Sequence, residues 1–211
     1  MPRSRMFHLF TLALTAFALV LQFVLVARGN AVLDETARPD TATRTLRFFC
    51  YLTIWSNILV AWSAYSLAFG RDRDTAWWRA LRLNAVALIA LAGIVHFLFL
   101  RPLLDLEGAD WLADKLLHVA VPIVAVAGWA LFGPRGRASV ADLPRFLVVP
   151  VVWVVFTLVR GELVDWYPYP FIDVLEHGYG VVLLNAAGIS VLLLGLAFGA
   201  IAVDRRLSAR R

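Results

Sequence analysis

The chain has 211 residues, of which 61% are hydrophobic, and its mean hydropathy is +0.76. A soluble domain of this size is usually less than half apolar, so the composition indicates a polytopic membrane protein and excludes an ordinary soluble enzyme. The net charge of +5 does not indicate nucleic-acid binding, because the basic residues lie at the termini and in short loops, where membrane topology explains them. Cys50 is the only cysteine, which excludes a disulfide within the chain.

We predict six membrane-spanning helices, because a span needs about 20 largely apolar residues. They cover residues 6–27, 46–69, 80–100, 111–132, 144–160 and 178–203. The first resembles a signal peptide in its basic start, but its length and the lack of a clean cleavage site favour a retained anchor. The fifth is short and contains Pro150, which predicts a kink or tilt. Without repeats or long linkers, the predicted fold class is an all-α six-helix bundle that forms one domain over residues 1–211.

The basic residues predict the orientation of this bundle. Seven of the 20 lie on one side, at Arg28, Arg38, Arg44, Arg47, Arg101, Lys115 and Arg160. The other thirteen lie at both termini and in the loops that share their side, including Arg210 and Arg211. The positive-inside rule therefore places both termini in the cytoplasm. Since Lys115 is the only lysine, the arginine bias also suggests a GC-rich bacterial genome and a bacterial plasma membrane.

Polar side chains inside the predicted spans concentrate toward the outer face. Thr53 and Asn57 are four residues apart on the second span, and Asp114 and His118 are four apart on the fourth. Such groups are costly in a bilayer unless they face the bundle interior or a water-filled cavity, so we expect a site in this layer. The remaining residues assigned to it are His96, Thr157, Arg160, Glu162 and Asn185.

This set of residue types suggests nucleophilic catalysis. A threonine hydroxyl is a weak nucleophile unless a base takes its proton, and histidine is the usual base near neutral pH. We therefore predict Thr53 as nucleophile and His118 as base. Asp114 could orient the imidazole, or it could pair with Lys115 at the interface. Asn57, or Asn185 from the sixth span, could assist as an orienting or oxyanion-stabilising group.

Structural interpretations of the same residues remain open. A threonine in a transmembrane helix commonly bonds its own i−4 carbonyl, and a histidine that faces a bundle is often structural. His96 with His118 could suggest a metal, but neither HExxH nor paired-carboxylate spacing is present, so we predict neither metal nor cofactor.

The outer segment before the sixth span adds possible pocket residues. Arg160 could form an ion pair with Glu162 or Glu176 rather than bind substrate, and His177 is typical of a solvated loop. Prolines and aromatic residues from Trp166 to Phe171, including Tyr169, could form a lid that dips into the interface.

The motifs FCYLTIWSN in the second span and DKLLHVAVPI in the fourth resemble the family of androgen-induced-gene and androgen-dependent TFPI-regulating proteins. The outer segment RGELVDWYPYPFIDVLEHGYG is similar to a stretch in bacterial six-span relatives of that family. The animal members are transmembrane threonine hydrolases that cleave fatty acid esters of hydroxy fatty acids. The resemblance implies that Thr53 is the nucleophile and His118 the base, and it leaves the substrate open.

We therefore expect a multi-pass membrane hydrolase that acts on a lipid or fatty-acyl ester through a Thr–His dyad. The first alternative is a non-catalytic carrier or scaffold that binds a small molecule or lipid in the same pocket. The second is an intramembrane protease, although the serine motif of rhomboid-like proteins is absent. The expected partners are the bilayer and the substrate, without nucleic acid, and the sequence leaves the oligomeric state open.

Overall fold

The computed structural model describes residues 1–30 and 39–209, and every regular element in these ranges is helical. The α-helices are α1 (Arg3–Arg28), α2 (Thr41–Phe48), α3 (Leu52–Ala68), α4 (Ala76–Val95), α5 (Gly108–Lys115), α6 (Val121–Phe132), α7 (Leu143–Phe146), α8 (Val148–Val164) and α9 (Val174–Ser208). Two π-helical turns, His96–Leu100 and Leu116–Ala120, extend α4 and join α5 to α6. Short 3-10 turns lie at Arg101–Leu103, Val140–Asp142 and Pro170–Ile172. Arg38, Arg210 and Arg211, which contribute to the predicted topology, lie outside the described residues.

The described chain forms an all-α polytopic membrane bundle, as predicted. Five helical stretches are long and apolar enough to cross a bilayer: Arg3–Arg28, Ala76–Leu103, Gly108–Phe132, Val140–Val164 and Val174–Ser208. Helices α2 and α3 supply a sixth span if the pair is counted as one span bent by 62°. We call the end of the bundle that carries the α2–α3 bend, the α4–α5 connection and the α8–α9 loop its outer end.

The second span differs from the continuous helix predicted over residues 46–69. Tyr51 is extended, with φ −77° and ψ 129°, so the chain turns there and α3 begins at Leu52. The Trp153 indole N–H donates to the Cys50 carbonyl oxygen at 2.9 Å and holds the bend. Thr53 therefore lies in the first turn of α3, not two to three turns inside a helix. Its backbone N–H is one of the groups that a helix start leaves without an intrahelical acceptor.

Both π-helical turns precede a proline by two residues. Pro102 follows the turn His96–Leu100, and Pro122 follows the turn Leu116–Ala120. Proline lacks an N–H, and its ring crowds the carbonyl four residues earlier, so the α-helical hydrogen bonding cannot continue through it. The wider turns re-aim the side chains that they carry. One turn carries His96 and the other carries His118.

Helix α4 lies at the centre of the bundle, where it contacts α3, α6, α7 and α9. In its apolar stretch 67% of the residues are buried, against 17–28% in the other four continuous spans. Asn84 on α4 is fully buried and donates to the carbonyl oxygen of Phe146 at 3.0 Å. Phe146 precedes Pro150 by four residues, so the Asn84 amide takes the place of the helical N–H that Pro150 lacks. The predicted interruption of the fifth span is thus the loss of this one helical hydrogen bond, at Leu147 between α7 and α8, while the backbone of Leu147 stays helical.

Candidate active site

Thr53 and His118, predicted from different spans, meet near the outer end of the bundle. The Thr53 hydroxyl oxygen Oγ1 lies 3.2 Å from His118 Nε2, within hydrogen-bond distance. Thr53 is 7% exposed, so the contact is shielded from bulk solvent. The hydroxyl is directed to the imidazole and can donate its proton there.

Asp114 lies behind the imidazole. Its carboxylate oxygen Oδ1 is 3.0 Å from His118 Nδ1, and its backbone carbonyl oxygen is 3.1 Å from the same nitrogen. Both neighbours of Nδ1 are acceptors, so the proton belongs on Nδ1 and the lone pair on Nε2 faces Thr53. This is the tautomer that a general base opposite a hydroxyl requires.

Two further groups hold the Asp114 carboxylate. The Lys115 ammonium nitrogen lies 2.7 Å from Oδ2, which neutralises the buried charge. His96 Nε2 lies 3.1 Å from Oδ1, although the two are not aligned for a hydrogen bond. The His96 and His118 rings stack with centroids 3.8 Å apart and an interplanar angle of 10°. The sequence left two roles open for Asp114, and the contacts for both are present. His118 Nδ1 lies beside Oδ1, and the Lys115 ammonium lies beside Oδ2.

Gly93 brings α4 close to the turn that carries His118. A Cβ atom at position 93 would lie 3.0 Å from the His118 carbonyl oxygen and 3.6 Å from the Pro122 ring. That carbonyl lacks a helical donor because Pro122 is the residue four positions later. The absence of a side chain at Gly93 therefore fixes the depth at which His118 sits.

Tyr169, from the loop between α8 and α9, completes the cluster. Its hydroxyl oxygen accepts from the Thr53 backbone N–H at 3.4 Å and lies 3.5 Å from Thr53 Oγ1. The Tyr169 ring is 6% exposed and stacks on Phe171. Burial raises the pKa of Tyr169, so its hydroxyl keeps its proton and can act as a donor.

The α8–α9 loop is docked by contacts along its length. The Tyr167 ring fills the space above Gly161, where a Cβ atom would lie 2.0 Å from the ring. Asn185 on α9 donates to the Phe171 carbonyl oxygen at 2.9 Å. Asn185 therefore holds the loop that carries Tyr169, rather than contacting Thr53 or His118 as an orienting or oxyanion group.

Two cavities have Thr53 as a lining residue. The first, the apolar cavity, is almost entirely apolar and is bounded by α3, α4, α8, α9 and the α8–α9 loop. The second contains the Thr53, His118 and Asp114 side chains; we call it the polar cavity for these groups, although most of its surface is apolar. Three residues line both cavities: Thr53, Leu100 and Tyr169. Thr53 therefore forms part of the wall of each cavity.

Asn57 does not face the Thr53 hydroxyl, contrary to the oxyanion role considered from the sequence. Its amide nitrogen donates to the Thr53 backbone carbonyl oxygen at 2.8 Å, one turn back along α3. Asn57 is fully buried on the side of α3 that packs into the bundle. Its short link to its own helix explains the difference, since four residues separate the two positions.

The other possible pocket residues lie away from Thr53. The Arg160 guanidinium stacks over Trp166 at 5.3 Å, and Glu162 accepts from the Tyr179 hydroxyl at 2.8 Å. His177 is exposed beside Glu176, with 3.9 Å between Nε2 and the carboxylate. Arg160, Glu162 and His177 line neither of the two cavities. These contacts fit interfacial and solvated positions.

Two polar residues of the polar cavity were not singled out from the sequence. They are Gln22 on α1 and Asp110 on α5. A glutamine between Leu21 and Phe23, inside an apolar span, is the signal that could have identified the first.

His96, Asp114 and His118 are the described residues whose side chains could hold a metal, with ligand atoms within 4.8 Å of one another. Zinc binds imidazole through the in-plane lone pair. Because the two rings are stacked and nearly parallel, one ion could not lie in the plane of both. A metal on His118 Nδ1 would also compete with the Lys115 ammonium for Asp114. The geometry favours hydrogen bonding and charge pairing for these residues.

Comparisons with protein-family models, with curated proteins and with solved structures found no match to this chain. The family resemblance drawn from the sequence motifs stays a prediction.

Proposed function

We propose that this protein is an intramembrane hydrolase of lipid esters, in which Thr53 is the nucleophile and His118 the general base. The observation that carries the proposal is the 3.2 Å contact between Thr53 Oγ1 and His118 Nε2, with the Asp114 carboxylate on the far side of the imidazole. This chain of hydroxyl, imidazole and carboxylate has the connectivity of the Ser-His-Asp triad. The motif resemblance to transmembrane threonine hydrolases supports the same assignment.

The first half of the proposed reaction transfers the acyl group to Thr53. His118 Nε2 takes the hydroxyl proton as Oγ1 attacks the ester carbonyl carbon. The bond between that carbon and the alcohol oxygen then breaks, and the protonated His118 returns the proton to the leaving alcohol. Asp114 keeps the imidazole in the required tautomer and stabilises its charged form.

The second half releases the acid. His118 takes a proton from a water molecule, whose oxygen attacks the acyl carbon, and Thr53 leaves with the proton from His118. In both halves negative charge develops on the carbonyl oxygen. The Tyr169 hydroxyl and the Thr53 backbone N–H at the start of α3, which donates to it, are the donors nearest to the Thr53 hydroxyl.

The apolar cavity suggests where an acyl chain would lie. It begins at Thr53 and runs between α4, α8 and α9, lined by side chains such as Leu91, Val182 and Leu193. An apolar chain loses no hydrogen bonds there and leaves its carbonyl beside Thr53. A lipid ester therefore fits this geometry better than a peptide, whose backbone polar groups would remain unpaired.

Labelling with a fluorophosphonate probe tests the proposal on the purified protein in detergent. Wild type should react covalently at Thr53 and hydrolyse long-chain acyl esters, while Thr53→Ala and His118→Ala should lose both activities. Thr15→Ala is a matched control, because the Thr15 hydroxyl donates to its own helix at the Thr11 carbonyl. Phenanthroline should leave labelling unchanged, since no step uses a metal.

Two results would contradict the hydrolase. Wild type that binds lipid but neither reacts nor turns over would indicate the carrier or scaffold. Cleavage of peptides in preference to acyl esters would indicate the protease.

A further inference from the structure

The residues that line the polar cavity beside Thr53 indicate what kind of alcohol the ester substrate contains. If the acyl chain of an ester lies in the apolar cavity, the alcohol part is directed to the polar one, because Thr53, Leu100 and Tyr169 line both cavities. This inference rests on the proposed hydrolase. It concerns the chemical class of the alcohol that the enzyme releases.

The walls of the polar cavity offer hydrogen bonds. Gln22 on α1 faces it, and among the described residues its amide has no protein partner. Asp110 on α5 also lines it, with Oδ2 accepting from the Asn30 amide at 2.5 Å and Oδ1 left over. An amide and a carboxylate oxygen that lack partners suit a ligand that both donates and accepts hydrogen bonds.

The carboxylates that line the polar cavity give its wall a negative charge. Asp110 and Asp114 both line the polar cavity, and within residues 1–30 and 39–209 neither lysine nor arginine lines it. The Lys115 ammonium on Asp114 Oδ2 neutralises one of these two charges, so Asp110 is the carboxylate that a ligand anion would meet. A ligand carboxylate or phosphate would be brought against Asp110, and the two like charges would repel each other.

We infer that the alcohol part of the substrate is uncharged and carries hydroxyl groups, as in a glycerol monoester of a long-chain fatty acid. Hydroxyl groups can donate to Asp110 and accept from the Gln22 amide without placing a second negative charge in the cavity. The animal hydrolases that the motifs resemble act on esters that carry a free carboxylate.

A pair of substrates that differ in one group tests the inference. The palmitoyl ester of glycerol and the palmitoyl ester of glyceric acid have the same chain and nearly the same size, but the second carries a carboxylate. The wild-type value of kcat/KM should be at least tenfold higher for the glycerol ester. In Asp110→Asn the ratio should shrink severalfold through faster hydrolysis of the glycerate ester, whereas Glu107→Gln, an exposed carboxylate outside the cavity, should leave it unchanged.

Equal or faster hydrolysis of the glycerate ester by wild type would overturn the inference, as would an unchanged ratio in Asp110→Asn. A binding measurement distinguishes failure of this inference from failure of the proposed hydrolase. Thr53→Ala should be stabilised against thermal unfolding by the hexadecyl ether of glycerol and not by that of glyceric acid. If no ester is cleaved but this difference holds, the hydrolase fails and the ligand class stands. If both ethers stabilise equally, the ligand class fails.

Discussion

The contribution of the Tyr169 hydroxyl to the proposed reaction can be tested by removing that one oxygen. This hydroxyl bonds the Thr53 N–H and is one of the donors proposed for the oxyanion, so Tyr169→Phe should lower kcat by roughly 10²–10³-fold with little change in KM. Steady-state hydrolysis of an acyl ester measures both constants. Because burial raises the pKa of Tyr169 above its ordinary value of about 10, wild type should not lose this donor at mildly alkaline pH.

The neighbouring Tyr167 supplies the matched control. Its hydroxyl is buried without a hydrogen-bond partner, so Tyr167→Phe removes an oxygen that bonds to nothing and should leave kcat unchanged. Equal losses in the two variants would show that Tyr169 only packs the loop. Unaltered kcat in Tyr169→Phe would assign oxyanion stabilisation to the backbone N–H groups of α3 alone.

The two principal residues could be predicted because each is a costly polar group at a similar depth in an apolar span. Thr53 and His118 are such groups, and so is Gln22, which was not singled out from the sequence. Tyr169 could not be placed in the same way, since a tyrosine in an outer loop is ordinary at a membrane interface. Only the docking of the loop, through Gly161 and Asn185, brings its hydroxyl to Thr53.

At the scale of elements, the approach of α4 to the turn that carries His118 should control the base. Gly93→Ala would place a methyl group 3.0 Å from the His118 carbonyl oxygen, so the turn must yield by a few tenths of an ångström. We expect kcat to fall severalfold while the protein stays folded, because small displacements of a catalytic group are costly. Gly195→Ala on α9, where the added methyl group meets open space, should be silent. Similar kcat values for both variants would mean that Gly93 does not set the position of His118.

The interruption between α7 and α8 leads to a prediction about the stability of the protein. Asn84→Leu leaves the buried Phe146 carbonyl oxygen without its donor and should lower the free energy of unfolding by about 1–3 kcal/mol. Adding Pro150→Ala restores a backbone N–H for that carbonyl, so the loss should be smaller in the double variant than the sum of the two changes. Thermal or denaturant unfolding in detergent measures both. If the two changes in the free energy of unfolding simply add in the double variant, Asn84 does not take the place of the N–H that Pro150 lacks.

Element boundaries were harder to predict than element number. Hydropathy identifies the spans well, because a bilayer requires long apolar helices. It does not register the extended backbone at Tyr51, since every residue from Phe48 to Ile54 except Thr53 is apolar or weakly polar. Nor does it show the π-helical turns, although Pro102 and Pro122 marked where regular hydrogen bonding would fail.

For the whole molecule, the arginine distribution predicts that the candidate site opens on the outer side of the membrane. The background Cys50→Ala removes the only native cysteine, so single cysteines can report sidedness. Asp105→Cys, in the α4–α5 connection, should react with an impermeant maleimide on intact cells. Arg73→Cys, in the connection between α3 and α4, should react only after the membrane is opened. The reverse pattern would place the site on the cytoplasmic side.

The presence of one threonine in the walls of two cavities has a kinetic consequence for the proposed reaction. The first product can diffuse away from its own compartment while the acyl chain stays anchored in the other, so the enzyme alternates between a free and an acylated form. Ping-pong behaviour follows, and any small nucleophile that enters the vacated compartment competes with water for the acyl group. Adding glycerol should therefore divert part of the flux from hydrolysis to transesterification without occupying the compartment that holds the chain.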